Sequence, residues 1–337
     1  MDWIQLKTNL PYVTGYAESR IGGRSENQDS YGYADTPLGF LVTVCDGMGG
    51  GPGGKTASSI AVKEIVDSVN EASREETVSN ILIKAVRRAN LAIIQRGAEQ
   101  PELQGMGSTC TVLLINENAA TVAHVGDSRV YQLRGTQKIF RTFDHSMVFD
   151  LVKQKVITEE QARLSAQSNV ITRALGIKTD LEVEVAECPY EKGDRFMLCT
   201  DGVHGTMDEK SLLKLVGDKN ELQKVVTTLA MRIDSVGRNA GGGHDNLTLA
   251  VVETKCKSKL KEKMNKRMKL LVCSLCVLCF VSIAGNIFQC LINKENSEHS
   301  IKLDKISKLV YSQDTTTVSV ASKLDSIRKI IIKGKEQ

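Results

Sequence analysis

Aromatic residues are scarce: they make up 4% of the 337 residues, and tryptophan occurs once, as Trp3. Valine, isoleucine, leucine and alanine must therefore build the core, and a chain of this length has room for one large domain or two smaller ones. A disulfide framework is missing too. Of the nine cysteines, Cys45, Cys110, Cys188 and Cys199 sit singly in apolar runs, as buried thiols of a reducing compartment do. Cys273, Cys276 and Cys279 are embedded among leucines and valines, which argues for filler in one apolar helix, or for palmitoylation sites, over a metal knuckle. Residues 1–9 do not couple a basic start to an apolar stretch, so no signal peptide is expected.

The chain also lacks a basic domain. The formal charge is +4, yet residues 255–337 carry 17 Lys/Arg against 7 Asp/Glu, and residues 1–254 carry 27 against 33. The basic excess lies in the tail, which excludes a nucleic-acid-reading domain. Charge is absent altogether from residues 270–293. As a helix that stretch spans about 36 Å, enough to cross a bilayer. Before it stand Lys255, Lys257, Lys259, Lys261, Lys263, Lys266, Arg267 and Lys269, with Glu262 as the one acid. Such a flank stays on the cytoplasmic side. The expected organisation is a cytoplasmic domain over 1–254, a basic juxtamembrane linker over 255–269, a single transmembrane helix over 270–293 and an extracytoplasmic helical tail over 294–337. In that tail Leu303, Ile306, Val310, Gln313, Thr317, Val320, Leu324, Ile327 and Ile331 recur in alternating steps of three and four. A self-associating coiled coil and a short amphipathic helix that never pairs both fit this seam.

What the first 254 residues do contain is a series of aspartates at stops punctuated by Gly or Asn. They are Asp29 in Asn27-Gln28-Asp29, Asp46 before Gly47, Asp127 in Gly126-Asp127-Ser128-Arg129, Asp201 before Gly202, and Asp245 before Asn246. Most of these follow or open an apolar, β-branched run, so a sheet could gather them at its strand ends. Clustered carboxylates repel one another unless a cation neutralises them. Oxygen donors without a neighbouring Cys/His set point to Mg²⁺ or Mn²⁺, not to zinc.

Strands are expected at 40–45, 109–115, 121–125, 130–133, 183–186, 196–200 and 247–252, and helices at 56–69, 78–94, 208–216 and 222–236. Helical pieces alternate between 144 and 167, with Thr158-Glu159-Glu160-Gln161 as a helix start. The links 116–119 and 126–128 are so short that they are expected to join antiparallel neighbours. Helices grouped in twos around runs of strands predict a segregated α+β class with sheets in the middle.

One motif argues for different chemistry. Gly49-Gly50-Gly51-Pro52-Gly53-Gly54-Lys55-Thr56 satisfies the phosphate-loop pattern, with a strand before it and a helix after it. A nucleotide hydrolase is thus the alternative function. It requires a parallel sheet, against which the 109–133 meander counts, and it leaves most of the aspartate motifs without a role.

Seven motifs taken in order are more specific. They are Arg24-Ser25-Glu26-Asn27-Gln28-Asp29, Val44-Cys45-Asp46-Gly47-Met48-Gly49-Gly50, Val125-Gly126-Asp127-Ser128-Arg129, Phe143-Asp144-His145-Ser146, Asn169-Val170-Ile171-Thr172-Arg173-Ala174-Leu175-Gly176, Cys199-Thr200-Asp201-Gly202 and Asp245-Asn246-Leu247-Thr248. From about residue 9 to residue 253 this series resembles the metal-dependent serine/threonine protein phosphatases of type 2C, in their bacterial form. The resemblance implies a four-layer α-β-β-α sandwich of two antiparallel sheets flanked by helix pairs. It implies that Asp46 bridges two Mn²⁺ or Mg²⁺ ions, that the Gly47 carbonyl binds one of them, that Asp201 and Asp245 bind the second, and that Asp29 supports the bridging waters. Asp127 with Asp201 would hold a weaker third ion, and Arg24 would grip the substrate phosphate. Two close cations lower the pKa of a shared water and prepare it for in-line attack on phosphorus. Phosphoproteins are then the substrates, and a serine/threonine kinase the natural counterpart.

Departures from the family pattern are visible. Gln28 stands where Glu is frequent, Met48 replaces a histidine that eukaryotic relatives use as general acid, and Gly51-Pro52 and Ser165-Ala166 replace histidine-containing pairs. Lys55 has no family role. His145 is expected to be a satisfied structural histidine. A catalytically dead, receptor-like module would keep the fold, and intact Asp46, Asp201 and Asp245 speak against it.

Overall fold

The computed structural model describes residues 3–49, 52–165, 167, 170–311, 322 and 324–329. Its strands are β1 (Trp3–Leu6), β2 (Val13–Arg20), β3 (Ser30–Thr36), β4 (Gly39–Cys45), β5 (Gly47–Met48), β6 (Gly107–Ser108), β7 (Cys110–Ile115), β8 (Ala120–Val125), β9 (Arg129–Arg134), β10 (Gln137–Arg141), β11 (Glu184–Cys188), β12 (Asp194–Cys199) and β13 (Leu247–Thr254). Its helices are α1 (Pro52–Asn70), α2 (Val78–Glu99), α3 (Met147–Lys153), α4 (Glu159–Arg163), α5 (Asp201–His204), α6 (Glu209–Val216), α7 (Leu222–Asn239) and α8 (Lys259–Tyr311).

Two antiparallel sheets form the middle of the fold, one ordered β1-β2-β13-β12-β9-β10 and the other β11-β8-β7-β4-β3. Period-two alternation sorts each central strand between two cores. On β4, Leu41 and Cys45 pack with α1 and α2, while Phe40, Val42 and Val44 pack between the sheets against Phe196, Leu198, Ala250 and Val252. On the far face Tyr131, Met197 and Leu249 meet Leu212 of α6 and Val226, Leu229 and Ile233 of α7. The layers are therefore α-β-β-α, as the resemblance implies. Local signals start the helices where the sequence places them: Thr77 caps α2, Asp208 caps α6, and Thr158 with Gln161 forms a reciprocal capping box on α4.

Three expectations need correction. Residues 126–128 do not close a hairpin, because β8 lies in the five-stranded sheet and β9 in the six-stranded one. Gly126, at φ 102°, turns the chain from one sheet to the other, a conformation that glycine adopts without steric cost. Helix α1 starts at Pro52, within the glycine run, four residues ahead of the sequence reading. Finally, β1, β2, β3 and β10 carry no strand signal in the sequence reading. β2 holds Gly15, Glu18 and Arg20, a poor strand composition; Glu18 is buried and forms an ion pair with Arg20. Trp3 lies on edge strand β1, its ring centre 6.0 Å from that of Tyr16 and tilted by 58°.

The described residues up to Met264 form one compact unit and those from Asn265 onward another. The first extends past the expected boundary at Thr254, since Ser258 N donates to Tyr190 O at 3.0 Å, Lys259 N to Glu117 O at 2.9 Å and Leu260 N to Asn118 O at 3.0 Å. Helix α8 is continuous over 53 residues. Within it, Lys259–Lys308 is long and apolar enough to cross a membrane. Of the proposed tail seam, Gln313, Thr317, Val320 and Ile331 lie outside the described residues.

Candidate active site

The aspartates do converge. Asp46 leaves β4, Asp201 opens α5 directly after β12, Asp245 precedes β13, Asp29 precedes β3 and Asp127 sits on the crossing between β8 and β9. A cavity of ≈ 520 Å³ is lined by Asp46, Gly47, Asp127, Asp201 and Asp245, with Arg24, Gln28, Met48 and Thr109 around them. Asp29 lies just beneath, 2% exposed, with its Oδ2 accepting from Thr200 Oγ1 at 2.9 Å. The carboxyl groups of Asp201 and Asp46 are within hydrogen-bond reach of each other.

Close approach of the backbone shapes the floor. A Cβ on Gly47 would overlap the Gly54 carbonyl and crowd the Gln28 carbonyl. The glycines at the start of α1 thus let the helix press against Asp46-Gly47. Lys55 does not reach into a phosphate cradle; its Nζ donates to Asp29 O at 2.7 Å and Ser30 Oγ at 3.2 Å. Every strand pairing among the described residues is antiparallel. The phosphate-loop alternative therefore fails both in its sheet and in its lysine.

Electrostatics report an uncompensated cluster. Desolvation, together with repulsion from Asp201 and Asp245, outweighs the bonds from Thr248 and Thr200 and raises the Asp29 carboxyl to about 7. Desolvation, then Asp201 and Asp144, raises Asp127 to about 8. Asp46 is pushed well above the carboxylate range by desolvation and by Asp201, Asp29, Asp127 and Asp245; Asp201 is raised by desolvation and by Asp245. Asp29 Oδ1 and Asp201 Oδ1 are buried without a hydrogen-bond partner. Orphaned carboxylate oxygens of this kind suit a divalent cation, and the cavity lining contains neither His nor Cys. An all-oxygen set of this kind fits Mg²⁺ or Mn²⁺.

Arg24 stands at the mouth, its side chain 54% exposed, with Nη2 donating to Asp245 Oδ2 at 2.8 Å. Three supporting residues escaped the sequence reading. Thr109 exchanges bonds with Asp46 (Asp46 N to Thr109 Oγ1, 2.9 Å; Thr109 N to Asp46 O, 2.8 Å) and its hydroxyl also meets Ser128 Oγ at 2.7 Å. It ties the Asp46 turn to the Asp127 crossing. Asn246 Nδ2 donates to Ile21 O and Glu26 O at 2.7 and 2.9 Å, and its Oδ1 accepts from Gln28 N at 2.9 Å, which fixes the loop bearing Arg24. His204 Nε2 donates to Asp127 O at 3.0 Å. Thr109 and His204 carry no recognisable local pattern, whereas Asn246 belongs to the Asp245-Asn246-Leu247-Thr248 motif, in which its own role is not apparent.

The profile of the protein phosphatase 2C family matches residues 17–240. The chain belongs to that family. The serine/threonine phosphatase stp of Listeria innocua is 30% identical over 234 residues, covering 68% of this chain and 91% of that protein. The crystal structure of the Mycobacterium tuberculosis serine/threonine phosphatase PstP/Ppp superposes with a TM-score of 0.63 at 30% identity, over 72% of this chain and 99% of that one. The catalytic domain of PstP in complex with two manganese ions gives 0.61 at 30% identity, over 72% and 99%. The protein phosphatase 2C fold accounts for the two sheets, the helices and the aspartate cluster together.

His145, by contrast, lies outside the cavity of this protein phosphatase 2C domain. Its Nδ1 accepts from Gly126 N at 3.1 Å, and its main-chain N–H donates to Gly126 O at 2.8 Å.

Proposed function

We propose that the chain hydrolyses phosphoserine and phosphothreonine in proteins, with Asp29, Asp46, the Gly47 carbonyl, Asp127, Asp201 and Asp245 serving two Mn²⁺ or Mg²⁺ ions and a weaker third. The observation that carries this reading is the convergence of those carboxyls on one cavity, with raised pKa values and orphaned oxygens, in a protein phosphatase 2C chain. When bound, the ions supply the activation of water and the neutralisation of phosphate charge.

The chain's own groups have separable tasks. Arg24 offers a planar fork to two phosphate oxygens at the mouth. Its bond to Asp245 holds it over the cavity before substrate arrives. Asp46 and Asp201, fixed by the Thr109 bonds and by the first turn of α5, provide the inner anionic wall. Asp29 sits behind them, held by Thr200 on one side and by the Lys55 ammonium at its carbonyl on the other. Met48 lines the cavity and has no proton to give, so the leaving oxygen must be protonated by another group.

The membrane arrangement is part of the same proposal. The long apolar stretch of α8 behind a run of Lys and Arg supports a single pass, with the phosphatase domain on the cytoplasmic side and the tail outside. A cognate serine/threonine kinase is the natural counterpart, and the tail seam fits self-association and an unpaired amphipathic helix equally. The direct test is Mn²⁺-dependent release of phosphate from a phosphothreonine peptide by the full chain in detergent. Loss of turnover in both Asp46→Asn and Asp245→Asn supports the proposal, and full turnover in either variant contradicts it.

A further inference from the structure

Behind the site, on the outer half of the five-stranded sheet, two histidines and a glutamate meet. His124 on β8 and Glu184 on β11 are direct register partners, so their side chains emerge on the same face. His145, from the loop before α3, closes the group: its ring lies 4.5 Å from that of His124, tilted by 36°, and its Nε2 lies 3.3 Å from Glu184 Oε1. One donor atom from each of the three lies within 4.8 Å of the other two.

His124 is the unusual member. It is 1% exposed, and neither ring nitrogen has a partner at full hydrogen-bond geometry, with the Gly126 backbone near enough to act on the ring. A buried polar ring without partners is costly and uncommon. Burial and the neighbouring His145 hold its pKa well below the usual imidazole value, so the ring is neutral and keeps a lone pair. The Glu184 side chain is 43% exposed, and a cavity of ≈ 400 Å³ lined by both His124 and Glu184 adjoins the group. Neutral imidazoles beside a carboxylate, with an entry path, are a donor set for borderline cations. The all-oxygen aspartate cluster favours harder ones.

We propose that His124, His145 and Glu184 form a second metal site, selective for a borderline transition cation such as Zn²⁺ or Ni²⁺, and that its occupation lowers phosphatase activity by releasing the turn that carries Asp127.

The sign follows from proton positions. His145 Nδ1 accepts the Gly126 N–H, so the neutral ring carries its proton on Nε2, facing Glu184. Coordination through Nε2 requires the other neutral tautomer, so the ring gives up its Nε2 proton and takes one on Nδ1 by exchange with solvent. With Nδ1 protonated, two N–H groups face each other and the side-chain bond to Gly126 N is lost, so that only the main-chain bond from His145 N still holds the turn. Gly126 is the residue at φ 102° that sets up Asp127. Tetrahedral bonds of about 2.0–2.1 Å also bring donors to roughly 3.4 Å of one another, a contraction of a set whose atoms lie within 4.8 Å of one another. Arg173 Nη1, 3.5 Å from His145 Nε2, and Lys153 Nζ, 3.9 Å from Glu184, border the site and must swing outward. Their side chains are 34% and 42% exposed, which leaves them room.

The binding half stands apart from the phosphatase reading; the coupling half rests on Asp127 as a site residue. The test uses the full chain in detergent, saturated with Mn²⁺, and titrated with Zn²⁺ by calorimetry and in a phosphothreonine-peptide assay. The expected result is one Zn²⁺ bound per chain beyond the Mn²⁺ complement, imidazole scattering in its X-ray absorption spectrum, and at least a fivefold loss of turnover. His124→Leu, and Glu184→Gln as a variant that leaves the core untouched, are expected to bind Zn²⁺ at least tenfold more weakly and to keep their activity at Zn²⁺ levels that inhibit the unaltered chain. Equal Zn²⁺ affinity in unaltered chain and both variants overturns the site, and inhibition that persists in the variants assigns it to the aspartate cluster and also overturns the proposal. Binding that leaves turnover unchanged overturns the coupling, while absent turnover without any Zn²⁺ counts against the phosphatase reading alone.

Discussion

The Lys55 ammonium donates to the main-chain carbonyl of Asp29 at 2.7 Å and so braces the innermost carboxylate from the first turn of α1. The lysine of an apparent phosphate loop is thereby a strut for Asp29, one of the aspartates proposed to serve the metal ions. Replacement by methionine removes a charge-assisted bond, at a cost of about 1.5–3 kcal/mol. Lys55→Met is expected to raise the Mn²⁺ concentration for half-maximal activity roughly tenfold, in line with that cost, with smaller change in turnover at saturation. Equilibrium dialysis with labelled ATP provides the contrast: ATP binding that the substitution abolishes would revive the nucleotide-hydrolase reading.

Stability of the metal-free protein should fall as pH rises. Asp29 and Asp127 are raised to about 7 and about 8, so between the ordinary carboxylate range and those values the folded state binds more protons than the unfolded state. That difference stabilises the fold at low pH and is lost as pH climbs through 7 to 8. A loss of a few kcal/mol corresponds to about 5–10 °C in Tm for a domain of this size. Thermal melts in chelator at pH 5.5 and 8.5 measure it, and Mn²⁺ should abolish the trend. A metal-free Tm that rises over that interval contradicts the assignment.

Arg24 is exposed and paired only at its tip, so its loss should affect substrate and spare the fold. Arg24→Ala is expected to raise KM for a phosphopeptide by about tenfold or more, the equivalent of one charge-assisted bidentate contact. The urea midpoint should not move. Unchanged KM would remove Arg24 from the phosphate-binding role.

The buried pair of Arg129 and Asp144 is a structural element of the site. Arg129 Nε and Nη2 donate to the two Asp144 oxygens at 2.7 and 2.6 Å, Nη1 donates to Tyr131 Oη at 3.0 Å, and the guanidinium lies 5.0 Å from the Phe149 ring centre. Asp144→Ala leaves that cation buried and uncompensated, at an expected cost of about 3–5 kcal/mol in urea unfolding. Arg129→Met combined with Asp144→Leu should cost less than Asp144→Ala alone; a larger loss in the double variant would show that the ion pair is a net stabiliser.

Much of this was legible in the chain because apolar periodicity and aspartate stops are local signals. β4, β7, β8 and β13 are rich in Val, Leu and Ile, β12 carries the apolar run Phe196-Met197-Leu198-Cys199, and the helices carry caps such as Thr158 and Asp208. β2 and β3 were not legible, since Gly15, Glu18 and Gly32 dilute the pattern and tertiary pairing with β13 and β4 decides the outcome. The 126–128 link misled because turn chemistry reports a change of direction and not which sheet receives the next strand. The glycine run offers the phosphate-loop alternative for a related reason: a demand for close backbone approach at Gly47 looks the same in sequence as a demand for a phosphate cradle. Thr109 and His204 act through backbone atoms of Asp46 and Asp127, and such bonds leave no residue pattern to find.

Anomalous diffraction at the manganese edge, on crystals of the protein grown in excess Mn²⁺, tests the central claim most directly. Peaks within coordination distance of Asp46, shared with Asp201 and Asp245, are the predicted result. A cavity between those carboxylates without anomalous density, or manganese bound elsewhere with these oxygens turned apart, would contradict it.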